Sequence, residues 1–292
     1  MTTKLYSINC GHFKLDGGAM FGIVPKTIWN KLNPADENNM CSWAMRGLLV
    51  ETEDRLIMVD SGMGDKQDEK FFGFYYPHGE DSIAGNLRKH GFTEEDVTDH
   101  VLTHLHFDHC GGSIQWNDDR SGFRKTFPNA TYWVGKRQFE HALDSNPKER
   151  NSYPEENILP LRDVAHCKFV EEEGEILPGF SVRFVEGHTE GMMLPVVEAN
   201  GQTLFYMADL IPSSGHMKMP YVMAYDIRPL HTMYEKHRHL EWALENDAVL
   251  MYEHDPVVEC ASLERSKKGI LPKEIFPLEA WEGSGRTASS TP

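Results

Sequence analysis

The sequence predicts a layered α/β fold, because strand-like and helix-like segments alternate along its 292 residues in two successive sets. Hydrophobic residues make up 40% of the chain and charged residues 25%, as is typical of a globular protein with a substantial core. No apolar run approaches the roughly 20 residues of a membrane-spanning helix. We therefore expect one domain over residues 1–282, followed by a disordered tail rich in Ser, Gly and Thr over residues 283–292.

The first set of elements begins with a strand over residues 4–14, where apolar and polar residues alternate. A loop rich in Gly and Pro follows over residues 15–45, and we expect it to form part of a substrate pocket or a dimer contact. The remaining strands of this half are predicted over residues 47–51, 55–60 and 127–134, and its helices over 82–90 and 135–143.

The second set follows a polar, Pro-containing stretch over residues 144–162, which predicts a long surface connection. Its strands are predicted over residues 180–185, 194–198, 203–207 and 248–252. Asn200-Gly201 is typical of a tight hairpin turn, and a helix is predicted over residues 233–246.

Composition narrows the class of function. A formal net charge of −16 would repel phosphate backbones, so we exclude nucleic acid and expect a neutral or weakly polar small-molecule substrate. The five cysteines are scattered and form no Cys-x-x-Cys pair, which indicates neither a disulfide framework nor a thiolate metal site. The N-terminal residues lack the apolar block of a secretory signal, so a cytoplasmic protein is expected.

A dense group of ligand-type side chains lies over residues 103–112, which read Thr-His-Leu-His-Phe-Asp-His-Cys-Gly-Gly. In an extended segment His104 and His106 point to the same side and can bind one cation. Asp108 and His109 follow where the chain leaves the strand, and can reach a second cation. The two glycines would supply backbone freedom for a sharp loop. Imidazole and carboxylate ligands suit zinc, with manganese, cobalt or iron as alternatives.

Three further candidate ligands each follow an apolar run, at the end of a predicted strand: His188, Asp209 and His254. Asp60 also ends a strand, and we expect it to orient a ligand imidazole instead of binding metal itself. The other histidines are interpreted as surface or packing residues. His216 is the exception, because it follows Asp209 within a loop that could face the site.

The candidate ligands occur in the same order as in the metallo-β-lactamase superfamily, which the chain resembles over nearly its whole length. The resemblance lies in the His-x-His-x-Asp-His motif over 104–109, in the Gly-His-Thr over 187–189 and in the later ligands. The resemblance implies a four-layer αβ/βα sandwich of two mixed β-sheets flanked by helices, with two divalent metal ions between strand-end loops. It implies that one metal is bound by His104, His106 and His188. It further implies that the other is bound by Asp108, His109 and His254, with Asp209 as the bridge.

A narrower resemblance lies in residues 15–26, 207–209 and 224–226, which are similar to N-acyl homoserine lactonases and methyl parathion hydrolases. Several homoserine lactonases carry a tyrosine three residues after the bridging aspartate. This chain has Pro212 there, so the group that assists the leaving alkoxide is not carried over.

These observations predict a dinuclear metal-dependent hydrolase that opens N-acyl homoserine lactones or related lactones by attack of a hydroxide held between the ions. Asp108 or Asp209 would accept the proton as the tetrahedral intermediate forms. A phosphotriesterase or a broad-specificity arylesterase is the alternative on the same fold. A β-lactamase and a diiron redox protein are less favoured, because the chain shows no export signal and has His106 where diiron members usually have glutamate.

The substrate pocket is predicted from apolar loop residues and from later polar ones. Met20 and Phe21 lie in the Gly-rich loop, and His216 and Tyr225 follow the last strand-end aspartate. The alternative interpretation is that the apolar residues are core or subunit contacts. Exposed together in a monomer, they would form an apolar patch that favours a homodimer.

Overall fold

Two large β-sheets form the centre of the protein, whose structure is a computed structural model that describes residues 2–285. The strands, in chain order, are β1 Lys4–Asp16, β2 Met40–Glu51, β3 Leu56–Val59, β4 Asp99–Leu102, β5 Ile114–Trp116, β6 Phe123–Lys125, β7 Thr131–Gly135, β8 Lys168–Val170, β9 Gly174–Leu177, β10 Phe180–Val185, β11 Met192–Ala199, β12 Gln202–Tyr206, β13 Val249–Met251, β14 Cys260–Ser266 and β15 Gly269–Phe276. The α-helices are α1 Gly17–Phe21, α2 Lys26–Trp29, α3 Glu69–Tyr75, α4 Ile83–Lys89, α5 Phe107–Cys110, α6 Lys136–Leu143, α7 Glu155–Pro160 and α8 Pro229–Glu245.

Both sheets are mixed. The first has the strand order β1-β2-β3-β4-β7-β8 and the second β15-β14-β13-β12-β11-β10-β9, while β5 and β6 form a separate hairpin. In the first sheet β3, β4, β7 and β8 run parallel, whereas β1, β2 and β3 pair antiparallel. In the second sheet only the pair of β12 and β13 is parallel among the pairs of the described strands.

The core lies between the two sheets. Leu48 and Val50 of β2 pack in one buried cluster with residues of the second sheet such as Leu194 and Phe205. The intervening Leu49 points the other way, into a second cluster with residues of α4, α6 and α7. Leu240 and Ala243 of α8 join the cluster of the second sheet. Helices therefore flank both sheets, which confirms the predicted αβ/βα sandwich.

The loop predicted over residues 15–45 contains two short helices before β2 begins at Met40. The stretch over residues 144–162 was wrongly predicted as a surface connection. It contains α7, and it buries Glu149 and Tyr153 against other parts of the chain. Their inward orientation follows from partners elsewhere in the sequence, which a local polar composition does not reveal.

The C-terminal end of the described chain packs against the domain. Residues Glu282–Ser284 form a 3-10 turn, and Ser284 is buried. The disordered tail predicted over residues 283–292 therefore begins too early, because residues 283 and 284 are folded and Asn200 Nδ2 donates to the carbonyl of Gly283 at 3.1 Å. Residues 286–292 lie outside the described residues. Over residues 2–285, every helix is too short or too polar to cross a lipid bilayer.

Candidate metal centre

The predicted ligands follow strands that end at one edge of the sandwich. His188, Asp209 and His254 come directly after β10, β12 and β13. These three strands run in the same direction, because β12 and β13 pair in parallel while β10 and β12 are both antiparallel to β11. Their C-terminal ends therefore lie at the same edge. The motif over residues 103–109 comes from the end of β4 in the facing sheet.

The structure brings all seven predicted ligands together as buried residues. They form two groups, and the candidate ligand atoms within each group lie within 4.8 Å of one another. The first group contains His104, His106, His188 and Asp209, and the second contains Asp108, His109 and His254.

The spacing of the first group fits a cation. His106 Nδ1 lies 3.1 Å from His104 Nε2 and 3.1 Å from His188 Nε2. The bond lengths of a tetrahedral zinc site place neighbouring ligand atoms about 3.3 Å apart. Imidazole nitrogens this close together need a proton or a cation between them, and one cation can satisfy all three at once.

The spacing of the second group also fits a cation. His254 Nε2 lies 3.1 Å from His109 Nε2 and 3.6 Å from Asp108 Oδ2. His109 Nε2 lies 3.7 Å from Asp108 Oδ2. Two imidazoles and a carboxylate thus converge in a buried space, an arrangement suited to a divalent cation.

Asp209 lies between the two groups. Its Oδ2 is 3.1 Å from His188 Nε2, and its Oδ1 is 3.1 Å from His254 Nε2. Burial raises the pKa of this carboxyl, but the imidazoles of His254, His188 and His109 hold it well below its usual value. The carboxylate is therefore ionised, and its oxygens lie close to imidazoles of both groups, an arrangement that suits a bridging ligand.

Two carboxylates contact His109 on the side of its ring that points away from the second ligand group. Its Nδ1 lies 3.2 Å from Asp60 Oδ2 and 3.0 Å from Glu253 Oε1. Asp60 also accepts hydrogen bonds from the backbone and the hydroxyl of Thr103, at 2.8 and 2.6 Å. Burial and the nearby Asp60 raise the pKa of Glu253 to about 7. Asp60 thus occupies the place expected for a residue that orients a ligand imidazole.

His188 and His254 also make a contact through the ring nitrogen that points away from their ligand group. His188 Nδ1 lies 2.9 Å from Asp226 Oδ1, and His254 Nδ1 donates to the carbonyl of Ala44 at 2.7 Å. Such contacts fix the tautomer that presents the remaining nitrogen to the cluster.

Two of the remaining contacts involve Thr103 and Glu149. His104 Nδ1 lies 3.1 Å from Thr103 Oγ1, and His106 Nε2 lies 3.4 Å from Glu149 Oε1.

Sequence analysis did not identify Asp226, Glu149 or Glu253. Glu253 directly precedes a predicted ligand, which was the one available signal for it.

A cavity of about 200 Å³ opens beside the ligands. Asp108, Asp209 and three of the ligand histidines border it on one side. Its other walls are largely apolar and include Leu15, Met20, Tyr75, Phe107, Met223 and Tyr225. Met20 and Tyr225 therefore lie where sequence analysis expects pocket residues.

The prediction that Phe21 and His216 line this pocket is corrected by the structure. Both are buried behind the wall, where their rings stack with centroids 4.4 Å apart. His216 Nε2 donates to the carbonyl of Met20 at 2.9 Å, and burial lowers the pKa of His216 to about 3. The neutral ring supports the residue that does line the pocket.

Comparison with known proteins agrees with this geometry. Residues 48–256 match the family described as the metallo-beta-lactamase superfamily. An N-acyl homoserine lactonase of Bacillus thuringiensis is 29% identical over 198 residues, which cover 64% of this chain and 67% of that protein. The N-acyl homoserine lactonase of Bacillus cereus is 27% identical over 205 residues, covering 67% and 70%.

Solved structures share the fold over nearly the whole chain. A probable metal-dependent hydrolase from Staphylococcus aureus superposes with a TM-score of 0.85 at 25% identity, covering 94% of this chain and 99% of that one. AidC, a dizinc quorum-quenching lactonase in complex with a product, superposes with a TM-score of 0.75 at 22% identity, covering 94% and 96%.

Proposed function

The chain belongs to the metallo-β-lactamase superfamily, and from that premise we propose that this metal-dependent hydrolase opens N-acyl homoserine lactones or closely related lactones. The observation that carries the proposal is the pair of ligand groups joined by Asp209 at the floor of an apolar cavity. The similarity to Bacillus lactonases supports the choice of substrate class.

Two divalent ions, when bound, would supply an activated water molecule and polarise the substrate carbonyl. We propose zinc, because imidazole and carboxylate ligands suit it. His104, His106 and His188 would hold one ion, Asp108, His109 and His254 the other, and Asp209 would bridge them. Asp108 and Asp209 both border the cavity, so either carboxylate can accept the proton released when water attacks.

The cavity favours a neutral substrate. Lys148 contributes an ammonium group to its lining, but that group already donates to the carbonyls of Ala224, Tyr225 and Asp226 at 2.6, 2.7 and 2.9 Å. The cation is therefore engaged, while the net charge of the whole chain is −16. Apart from the metal ions proposed for its floor, the lining of this cavity therefore offers an anionic substrate carboxylates and no free cation.

The size of the cavity favours a small acyl group. Its volume of about 200 Å³ is below the roughly 300–1,000 Å³ of pockets that enclose drug-sized ligands. Phe107 closes one side, since its ring packs against Tyr75 with centroids 4.4 Å apart. We therefore expect short acyl chains to bind more productively than long ones.

The proposal predicts metal-dependent ring opening of N-butanoyl homoserine lactone by the zinc-loaded protein. We expect kcat/KM to be about tenfold higher than for the N-dodecanoyl lactone, because the longer chain exceeds the cavity. Asp209→Asn should reduce kcat by at least about 100-fold through loss of the bridging carboxylate. Ring opening is measured as acid release in weakly buffered solution.

The matched control is Asp247→Asn, the same change at an exposed position, which should leave the rate unchanged. Rates equal to those of buffer for every acyl length would remove the lactone assignment. Parallel assays with paraoxon and phenyl acetate test the alternative of a phosphotriesterase or arylesterase.

A further inference from the structure

The segment over residues 146–153 lies against the candidate metal centre, although it only joins α6 to α7 in the chain. Glu149 is 3% exposed and borders the cavity next to His106. Sequence and family resemblance assign no role to this segment, so its contacts with the ligand histidines require an explanation.

Glu149 makes four contacts inside the protein. Its Oε1 lies 3.4 Å from His106 Nε2 and accepts a hydrogen bond from the Tyr153 hydroxyl at 3.3 Å. Its Oε2 lies 2.8 Å from His141 Nε2 and accepts a hydrogen bond from Asn146 Nδ2. Three neighbouring side chains thus fix the carboxylate in position while it faces His106.

His106 differs from the other two histidines of the first ligand group in the ring nitrogen that it presents to that group. His106 presents Nδ1 to the first ligand group, whereas His104 and His188 present Nε2. His106 Nε2 has no hydrogen-bond partner among the described residues, but the negative charge of the Glu149 carboxylate 3.4 Å away favours a proton on that nitrogen, which leaves the Nδ1 lone pair free for the first ligand group.

The neighbouring residue reaches a second ligand of the same group. Lys148 Nζ donates to the carbonyls of residues 224–226. Within this stretch, the Asp226 carboxylate lies 2.9 Å from His188 Nδ1. Tyr153 adds a third connection, because its hydroxyl lies 2.8 Å from Thr189 Oγ1, directly after His188.

We propose that Glu149 is a positioning residue for His106, and that Lys148 positions His188 through Asp226, so that the segment over residues 146–153 sets the affinity of the first metal site. The second site does not depend on this segment. His109 is oriented by Asp60 and Glu253, and His254 by a backbone carbonyl. The inference rests on the metal centre of the proposed function and does not depend on its lactone substrate.

The test is Glu149→Gln in the full-length, metal-loaded protein. We expect the ion of the first site to be lost to a competing chelator at about 10–100-fold lower chelator concentration than in wild type. The ion of the second site should be retained as in wild type. Elemental analysis after chelation should therefore give one ion per chain where wild type keeps two.

The identity of the emptied site is read from cobalt-loaded protein. The visible spectrum of chelated Glu149→Gln should match that of His106→Ala and differ from that of His254→Ala. Glu140→Gln is the matched control, because Glu140 is an exposed glutamate on α6, and it should keep both ions. Thermal unfolding of the metal-free proteins checks that the variants fold.

Lys148→Met provides a second variant, should Glu149→Gln not fold. It should also weaken the first site alone, through the displaced Asp226. Wild-type retention of both ions, or equal loss of both, in the folded variants would overturn the proposal. Loss of one ion in a protein that opens no lactone would leave this inference standing while removing the proposed substrate.

Discussion

At the residue scale, the two glycines after the metal motif are required by close backbone contacts. A Cβ atom on Gly111 would lie 2.0 Å from the carbonyl oxygen of Met63, and one on Gly112 would lie 2.1 Å from that of Ser61. Neither glycine has a positive φ. The sequence-based explanation, backbone freedom for a sharp loop, is therefore wrong, and lack of space is the physical reason.

This contact predicts the effect of Gly112→Ala. Since backbone atoms would have to move apart, we expect a loss of about 3 kcal/mol in the free energy of unfolding, together with weaker metal binding. Gly73→Ala in α3 is the control, because a Cβ there meets no atom within 4 Å. Urea unfolding measures both variants, and equal stability of Gly112→Ala and wild type would refute the explanation.

The ligands were predictable at this scale, whereas the residues that orient them were not. Four ligands lie within residues 104–109, and the others follow apolar strands, so spacing alone pointed to them. Glu149 and Asp226 contact the far nitrogens of His106 and His188 across long stretches of chain. Carboxylates are common, and no spacing rule connects them to a distant imidazole.

At the element scale, α8 contains a buried histidine outside the metal centre. His239 packs against Phe205 with ring centroids 5.7 Å apart, and neither of its ring nitrogens has a hydrogen-bond partner within the described part of the chain. Burial, and to a smaller extent the charges of Arg238 and Arg183, lowers the pKa of His239 from 6.5 to about 3. The ring is therefore neutral in the folded protein.

This shift predicts a pH-dependent loss of stability. Between pH 6.5 and about 3 the unfolded chain protonates His239 and the folded chain does not, so the free energy of unfolding falls as the pH falls. His239→Leu should remove this component, which amounts to at most about 1.4 kcal/mol per pH unit.

The measurement compares urea unfolding of wild type and His239→Leu between pH 6.5 and 4. His237→Leu is the control for the substitution itself, because it makes the same change on the same helix at a side chain that is 64% exposed. If the free energy of unfolding changed with pH by the same slope in wild type and His239→Leu, His239 would titrate alike in the folded and unfolded states.

Elements with a strong apolar signal were predictable from sequence. The strand predicted over residues 180–185 coincides with β10, whereas β9, β14 and β15 were not predicted. Both β9 and β15 lie at the edges of the second sheet and carry exposed polar residues, and β15 also contains Pro272. Edge strands often have this composition, which hides the alternation that marks a strand.

At the scale of the whole molecule, the two halves of the sequence share one core. Residues of β2 and β3 pack in the same buried cluster as residues of β10 to β13, which supports the proposal of one domain. The alternation of elements predicted a layered fold, but the order of strands in each sheet depends on pairings between distant segments. Those pairings bring ligands from both halves to one edge.

Metal stoichiometry tests the central claim most directly, because every proposed role depends on two ions held by these seven residues. Elemental analysis of the purified, zinc-loaded and desalted protein should give two ions per chain, and Asp209→Asn should lower that number. Fewer than one ion per chain after loading, or two ions retained after replacement of both His106 and His254 by Ala, would contradict the assignment.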